Sequence, residues 1–173
     1  MKLFLGLGNP DQKYQATRHN LGQMVLNHLV EAYCHTPLTN KNKLSAQLTE
    51  QNQNLFAVST EYMNNSGLTA QKILNFYKIN PSDLYVIHDD LDLPVGEYRF
   101  QFDRGPAGHK GIESIIEYLG TQSFNRIRIG IGHPTDSTPV ESYVLMPFSP
   151  EEKMLISTTI AKILPEINQL LGP

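Results

Sequence analysis

The chain has 173 residues, the length of a single domain, and its 40% of hydrophobic residues is enough to bury a core. A formal net charge of −3 argues against a generally basic nucleic-acid-binding protein, although a local basic patch is compatible with that sum. Cys34 is the only cysteine, which excludes an intramolecular disulfide and a cysteine metal cluster.

The N-terminal part predicts a buried strand followed by a helix. The short apolar run Leu3–Leu7 is typical of a buried strand, and the turn residues of Gly8–Asp11 end it. This run is too short for a signal-peptide core or a membrane span, so we expect a cytoplasmic protein without membrane contact. Apolar residues at helical spacing predict a helix from about His19 onward.

The central part predicts a hairpin, a helix and a second buried strand. Leu44–Glu50 and Leu55–Ser59 have the composition of two strands joined by a turn. Ser66 is expected to cap a helix that ends before Pro81, because the residue that precedes a proline avoids helical backbone angles. Leu84–Ile87 is again a short apolar run and predicts a buried strand.

The C-terminal part adds two strands and two helices. Glu97–Phe102 alternates weakly and predicts an edge strand, after which a helix with isoleucines on one face follows. Arg126–Gly132 alternates isoleucine with arginine or glycine, as a strand does. Ser149–Glu152 is a capping box that begins a helical segment over residues 149–171, in which Pro165 is expected to kink or break the helix.

The alternation of strands and helices indicates an α/β fold in one domain, residues 1–173, with a twisted, mostly parallel mixed sheet flanked by helices. Ligands of such sheets bind beyond the carboxyl ends of the strands. Polar side chains follow three predicted strands at that position, namely Asn9, Asn64 and Asp89. We therefore expect these three residues to meet at one rim of the sheet.

The segment Gly6–Asp11 has three interpretations. A dinucleotide-binding fingerprint needs glycine where Asp11 stands, and Pro10 removes an amide that would bind phosphate, so this interpretation is disfavoured. A plain turn at the end of a strand is the simplest interpretation. In the third, Pro10 holds Asn9 extended with its amide group directed into the crevice.

His19 is a candidate general base, because imidazole titrates near neutrality and can take a proton from water. Such a base needs a partner that fixes its tautomer and holds the charge that develops, and Asp89 is positioned to be that partner. The acidic run around Asp89 is also compatible with a Mg²⁺ site or with a solvated turn. Strand alternation would direct Asp89 and Asp90 to opposite faces of the sheet.

The loop Gly105–Gly111 precedes a helix, so it is either a phosphate-binding loop or a flexible connector. The surrounding third of the chain is the best candidate for a local RNA-facing surface. Its basic residues are Arg99, Arg104, Lys110, Arg126 and Arg128. The last two alternate as they would on one exposed face of a strand. The sequence has no Gly-x-Ser-x-Gly elbow, which argues against a serine hydrolase.

Several of these segments together resemble the bacterial-type peptidyl-tRNA hydrolase family. They follow one another in family order from residue 3 to about residue 148, and the ordered set is highly specific although each segment alone is weak. The matching segments are Gly6–Pro10, Tyr14, Thr17–Gly22, Tyr62–Gly67, His88–Pro94, Gly108–Gly111 and Arg126–Pro134.

The resemblance implies roles for individual residues. His19 corresponds to the catalytic base of the family, Asp89 to the carboxylate that supports it, and Asn9 to the residue that separates peptidyl from free aminoacyl substrates. The positions that match contacts to the 3′ end of the tRNA or to the peptide are Tyr14, Tyr62 and Asn64.

Two further features follow from the same resemblance. Residues 134–147 correspond to a mobile lid. Lys110 departs from the family, which usually has an asparagine there that helps to bind the substrate and to order the attacking water. Lysine has no amide oxygen, but it adds a cation near a phosphate or a developing oxyanion.

The implied activity is hydrolysis of the ester between peptide and tRNA in ribosome-free peptidyl-tRNA, which releases the peptide and recycles the tRNA. The implied enzyme is a monomer that needs no metal or other cofactor. Two alternatives stay open from the residues alone: a non-catalytic RNA-binding module, and a Mg²⁺-dependent nuclease or phosphatase built on Asp89, Asp90 and Asp92.

Overall fold

The computed structural model of the protein describes residues 1–172, in which seven strands form one mixed sheet in the order β2-β3-β4-β1-β5-β7-β6. The strands are β1 (Leu3–Gly6), β2 (Thr39–Lys41), β3 (Ala46–Gln51), β4 (Asn54–Ser59), β5 (Leu84–Asp90), β6 (Tyr98–Phe102) and β7 (Asn125–Gly130). β4, β1, β5 and β7 pair in parallel, and the outer pairs are antiparallel. The predicted α/β class with a mostly parallel mixed sheet is confirmed.

In the described residues, the α-helices beside the sheet are α1 (Leu21–Tyr33), α2 (Ser66–Tyr77), α3 (Lys110–Leu119), the short α4 (Val140–Tyr143) and α5 (Pro150–Leu170). Successive side chains of β1 show how two cores arise, because a strand directs alternate residues to opposite faces. Phe4 packs in the cluster formed with α1 and α5, whereas Leu3 and Leu5 pack in the cluster formed with α2 and α3. Within the described residues, none of the helices combines the length and the apolarity needed to cross a bilayer.

The predicted cap of α2 differs from the structure, whereas its end before Pro81 agrees with the prediction. Ser66 is the first residue of α2 and not its cap, since its hydroxyl donates to the carbonyl of Met63 at 2.7 Å. Helix α2 ends at Tyr77, before Pro81, because Lys78 adopts a left-handed conformation. The exposed strand β2 was not predicted, because its polar residues carry no hydrophobic pattern.

The capping box of the C-terminal helix is present: the Ser149 hydroxyl accepts from the amide of Glu152, and the Glu152 carboxylate accepts from the amide of Ser149. The helix does not break at Pro165. Proline removes one backbone hydrogen bond, but Ile163 and Ile167 are fully buried on either side of it. Their packing against the core holds both parts of the helix in place.

A close approach between α1 and β5 determines where the first helix begins. A Cβ atom at Gly22 would overlap the carbonyl oxygen of Ile87, so only glycine permits this distance between helix and sheet. The residues just before α1 are therefore held beside the carboxyl end of β5, where Asp89 lies.

Candidate active site

Strand β5 continues beyond the predicted apolar run and includes both aspartates at its carboxyl end. As the alternation predicts, the two carboxylates have different partners. Asp90 is paired with Arg128, whose Nε lies 2.7 Å from Oδ2, whereas Asp89 contacts histidines. Asp92 lies in the exposed turn beyond the strand, where its carboxylate is 2.9 Å from the imidazole of His133. The three aspartates do not converge on one point.

His19 lies in a 3₁₀ turn, Arg18–Asn20, that leads directly into α1. Its Nδ1 is 2.9 Å from Oδ2 of Asp89, and the side chains of the two residues are only 12% and 2% exposed. Because a carboxylate accepts hydrogen bonds, Nδ1 carries the ring proton and Nε2 carries the lone pair. The base position of the ring is therefore Nε2.

His109, for which no role of its own was predicted, contacts the same carboxylate. Its Nε2 lies 2.9 Å from Oδ1 of Asp89, while its Nδ1 accepts hydrogen bonds from the backbone amides of Gly111 and Ile112 at 3.2 and 3.3 Å. The imidazole thus caps the N-terminus of α3. Histidine is not among the preferred capping residues, so capping rules gave no signal at this position.

Burial and charge act in opposite directions on this cluster. Burial works to raise the pKa of Asp89, but the two imidazoles hold that pKa well below its usual range by charge and hydrogen bonding. Burial lowers the pKa of His19, and the Asp89 carboxylate outweighs this effect, so the pKa of His19 lies above its ordinary value. Asp89 is therefore an anion that favours a positive charge on His19.

His19, Asp89 and His109 also bring three potential metal-ligand atoms within 4.8 Å of one another. The hydrogen bonds of His109 disfavour such use. A metal at this point needs the lone pair of Nε2, which would move the ring proton to Nδ1, against the two amide hydrogens of α3. The same two amides are not available to a phosphate, so the predicted phosphate site at this helix N-terminus is disfavoured as well.

The orientation of Asn9 follows from two neighbours. Its backbone amide and carbonyl are both bonded to the side-chain amide of Asn20, at 2.9 Å each. Its own side-chain oxygen accepts from the backbone amide of Met63 at 2.8 Å. Among the described residues no acceptor is bonded to its Nδ2, so Asn9 is left as a hydrogen-bond donor. Asn20 holds Asn9 in place, a role that its sequence context did not indicate.

The remaining predicted binding residues lie around this rim. Tyr62 is half exposed and donates its hydroxyl hydrogen to Asp11 at 2.6 Å, and Asn64 is exposed. Tyr14 is half-buried, with the ammonium of Lys13 4.9 Å from the centre of its ring. The hydrogen bond between Met63 and Asn9 brings the Tyr62–Asn64 segment to the same side as Asn9.

Lys110 is the first residue of α3 and lines a cleft that opens beside His19. The apolar part of this cleft is formed by Leu91, Pro106, Ala107, Val140 and Val144. The ammonium of Lys110 lies 2.9 Å from the carboxylate of Glu113, and the side chain is 68% exposed. It is thus beside the cleft, but engaged in a surface ion pair with a residue of its own helix.

The predicted exposed face of Arg126 and Arg128 is wrong, because these residues are 1% and 6% exposed. Strand β7 lies inside the sheet between β5 and β6. Arg128 bonds to Asp90 of β5 and Gln101 of β6, and the chain that follows β6 lies over Arg126. Arg126 stacks on Phe124 and donates to the carbonyls of Arg104 and Gly105. Burial, together with the charges of Arg104 and Arg128, lowers the pKa of Arg126 to about 10. Neither residue is available for a surface contact with RNA.

The fold and this cluster define an α/β protein in which a histidine–aspartate pair lies at the carboxyl edge of parallel strands. A family model described as peptidyl-tRNA hydrolase matches residues 3–172. The chain therefore belongs to the peptidyl-tRNA hydrolase family, and the resemblance stated from the sequence is confirmed. The expectation that it is an enzyme, a hydrolase, is confirmed with it.

Individual relatives agree with this assignment. The chain is 47% identical over 154 residues to a peptidyl-tRNA hydrolase of Mesoplasma florum, which covers 88% of this chain and 83% of the relative. It is 44% identical over 169 residues to that of Aquifex aeolicus, covering 94% and 85%. The crystal structure of peptidyl-tRNA hydrolase from Acinetobacter baumannii superimposes with a TM-score of 0.89 at 31% identity, covering 99% of this chain and 88% of that one.

Proposed function

We propose that the protein hydrolyses the ester between peptide and tRNA in ribosome-free peptidyl-tRNA, with His19 as general base and Asp89 as its support. Membership of the family supports the substrate. The observation that carries the mechanism is the 2.9 Å contact between Nδ1 of His19 and Asp89, which leaves the lone pair of Nε2 for a water molecule.

In the proposed reaction, Nε2 removes a proton from water, and the resulting hydroxide attacks the ester carbonyl. The Asp89 carboxylate stabilises the imidazolium that forms, since an adjacent anion favours the charged form of the ring. The tetrahedral intermediate then collapses, and the imidazolium returns its proton to the departing ribose oxygen. The products are a free peptide and a tRNA with an intact 3′ end, and His19 is regenerated.

Asn9 is proposed to read the peptide part of the substrate. Because its Oδ1 is bonded to Met63, it offers Nδ2–H to an acceptor such as the carbonyl of an N-linked acyl group. A free aminoacyl-tRNA has an ammonium in place of that group, which gives Nδ2 no acceptor. We further propose that Asn64, Tyr14 and Tyr62 contact the peptide or the 3′ end, with Asn64 or Lys110 steadying the oxyanion.

Residues 134–147 are proposed to act as a lid over this site. The backbone hydrogen bonds of Arg18 and His19 reach only the last part of the segment, at Met146 and Val144, so this part is the fixed base of the proposed lid and the residues before Tyr143 are the part that would move. The residues around Ser137 are exposed. A cytoplasmic location and a monomeric state stay predictions.

The partners of the acidic residues argue against a Mg²⁺-dependent nuclease. Asp89 accepts from two histidines and Asp90 is paired with Arg128, so their oxygens are already engaged. A Mg²⁺ ion prefers several free carboxylate and water oxygens in octahedral geometry.

The deciding experiment measures peptide release from purified N-acetyl-aminoacyl-tRNA, with and without a chelator of divalent cations. We expect release at the same rate in both conditions. Binding of the tRNA without release would support the RNA-binding alternative, and loss of activity on chelation would support the metal-dependent alternative.

A further inference from the structure

Arg18, the residue before His19, has its guanidinium buried in the body of the protein. The side chain is 7% exposed, and its Nη2 lies 2.7 Å from Oε2 of Glu152. Its Nη1 donates to the carbonyls of Met146 and Pro147, and the guanidinium carbon is 4.3 Å from the centre of the Tyr143 ring. A planar fork with several donors is required to make these contacts together.

The same segment is bonded to the backbone of the His19 turn. The amide of Arg18 donates to the carbonyl of Met146 at 3.0 Å, and the amide of His19 donates to the carbonyl of Val144 at 2.8 Å. The side chain of Val144 also lines the cleft beside His19. One short stretch of chain thus holds the candidate base and forms part of the cleft wall.

The other end of this stretch is attached to the strand that carries Asp89. The hydroxyl of Tyr143 donates to the carbonyl of Ile131 at 2.7 Å, and the amide of Ile131 donates to the carbonyl of Asp90 at 2.9 Å. A closed ring of contacts therefore runs from His19 through Val144, Tyr143 and Ile131 to the end of β5. The hydrogen bond between His19 and Asp89 closes it.

We propose that Arg18 is a positioning residue, which seats residues 143–148 on the first turn of α5 so that this segment holds His19 against Asp89. The inference rests on the proposed function of His19. Arg18 and Glu152 together form what we call the clamp, because Oε2 of Glu152 accepts from both Arg18 and the amide of Ser149. Arg18 is not among the residues that line the cleft beside His19, and it acts through the backbone of His19 and Val144.

The arrangement has a consequence that can be measured on His19 itself. When the clamp is weakened, His19 moves more freely relative to Asp89, and the carboxylate raises the pKa of the ring less. Burial then dominates and lowers that pKa. A general base that is held less well also gives a lower kcat, since small errors in position are costly in rate.

The test compares Arg18→Lys, which keeps the charge but loses the fork, with Ser149→Ala as a matched control. Ser149→Ala removes the hydroxyl of the capping box at the same helix end without touching Arg18. For each variant we would measure the melting temperature, kcat and KM on N-acetyl-aminoacyl-tRNA, and the titration of His19 by NMR.

For Arg18→Lys we expect kcat to fall about tenfold, KM to change less than about threefold, and the titration of His19 to move to lower pH. Ser149→Ala should lower the melting temperature and leave both kcat and the titration unchanged. If Arg18→Lys does not fold, Glu152→Gln, which keeps an acceptor for the helix amide, is expected to shift the titration in the same direction by a smaller amount.

Two results would overturn the proposal: a stability loss in Arg18→Lys with an unmoved His19 titration, or an equal titration shift in Ser149→Ala. The titration is independent of turnover. If the wild-type protein released no peptide, the proposed function would fail, while the NMR measurement would still decide whether Arg18 positions His19.

Discussion

The beginnings of α1 and α3 each bring a histidine to the same carboxylate, from opposite faces of the sheet. His19 reaches Oδ2 of Asp89 through Nδ1, and His109 reaches Oδ1 through Nε2, both at 2.9 Å. The two rings are close, with centroids 4.8 Å apart. They differ in what their second nitrogen does: that of His109 accepts from the amides of α3, whereas Nε2 of His19 has no bonded partner among the described residues.

This difference explains how two similar side chains come to have different uses. The helix amides fix His109 as the Nε2–H tautomer, so both of its nitrogens are occupied and it serves as a support for Asp89. The tautomer of His19 is set by Asp89 alone, and the lone pair of its Nε2 is left for chemistry. Proximity to a carboxylate therefore does not determine which histidine acts as the base. The presence or absence of backbone donors beside the second ring nitrogen determines which histidine keeps a free lone pair.

The largest expected effect on kcat comes from removing the imidazole of His19, and the comparison is with removal of the imidazole of His109. His19→Ala is expected to lower kcat by ~10²–10⁴, the usual contribution of a general base, with folding and tRNA binding retained. His109→Asn is the matched control, because asparagine can still cap the helix while its shorter side chain loses Asp89. We expect a loss of about tenfold or less for this control in the same peptide-release assay. Equal losses in the two folded variants would remove the distinction drawn between the rings.

Asp89→Asn tests the shared carboxylate. The asparagine side chain has only one oxygen, and it must accept from Nε2–H of His109, whose tautomer is fixed by the helix amides. The NH₂ group of the asparagine is therefore left facing Nδ1 of His19. These hydrogens favour the Nε2–H tautomer of His19, in which the lone pair is on Nδ1 and Nε2 cannot accept a proton from water. We expect kcat to fall by roughly 10²-fold, by analogy with the loss of tautomer control in a catalytic triad.

The same substitution should also move the pH dependence. Asp89 raises the pKa of His19, so its loss lowers that pKa, and the limb on which the rate rises with deprotonation of His19 shifts to lower pH. A pH profile of kcat/KM for wild type and variant measures this shift. An unmoved limb would show that Asp89 does not set the charge of His19.

Asn9→Ala leaves both histidines intact, so it tests recognition of the peptide separately from hydrolysis of the ester. The donor Nδ2 is lost, and we expect the rate on N-acetyl-aminoacyl-tRNA to fall about tenfold, the equivalent of roughly one hydrogen bond. Free aminoacyl-tRNA should be affected less, so the preference for blocked substrate narrows. Both substrates are measured side by side. An equal loss on both would mean that Asn9 acts on the common ester and not on the peptide.

The smallest effect is expected beside His109, at Lys110. Its ammonium is exposed and paired with Glu113. A surface ion pair of this kind contributes little stabilising free energy, so a phosphate of the tRNA can readily replace the Glu113 carboxylate. Lys110→Asn should keep turnover within about threefold and reduce the salt dependence of tRNA binding by about one unit of slope. Binding measured at several salt concentrations tests this. A substitution silent in turnover, affinity and salt slope would remove Lys110 from the site.

Local patterns were sufficient for most of the fold. Apolar runs located β1 and β5, helical periodicity located α1 and α3, and the capping box located the start of α5. Strand alternation separated Asp89 from Asp90, because the direction of a side chain along a strand depends only on its position in that strand. These features depend on neighbours in the chain and are therefore readable from the sequence. The sequence resemblance named the same residues for the site, and their catalytic roles stay predictions.

The tertiary structure decided which polar groups are free and which are engaged. Arg126 and Arg128 alternate like an exposed face, yet both are buried. The chain after β6 lies over Arg126, and Arg128 is bonded to Asp90 and Gln101 of the neighbouring strands, which the pattern of β7 alone does not reveal. The contact of His109 with Asp89, the donor orientation of Asn9 and the ion pair of Arg18 with Glu152 likewise depend on partners distant in sequence. A hydrogen bond needs its two groups within about 3 Å, and only the folded chain sets that distance for residues far apart in sequence.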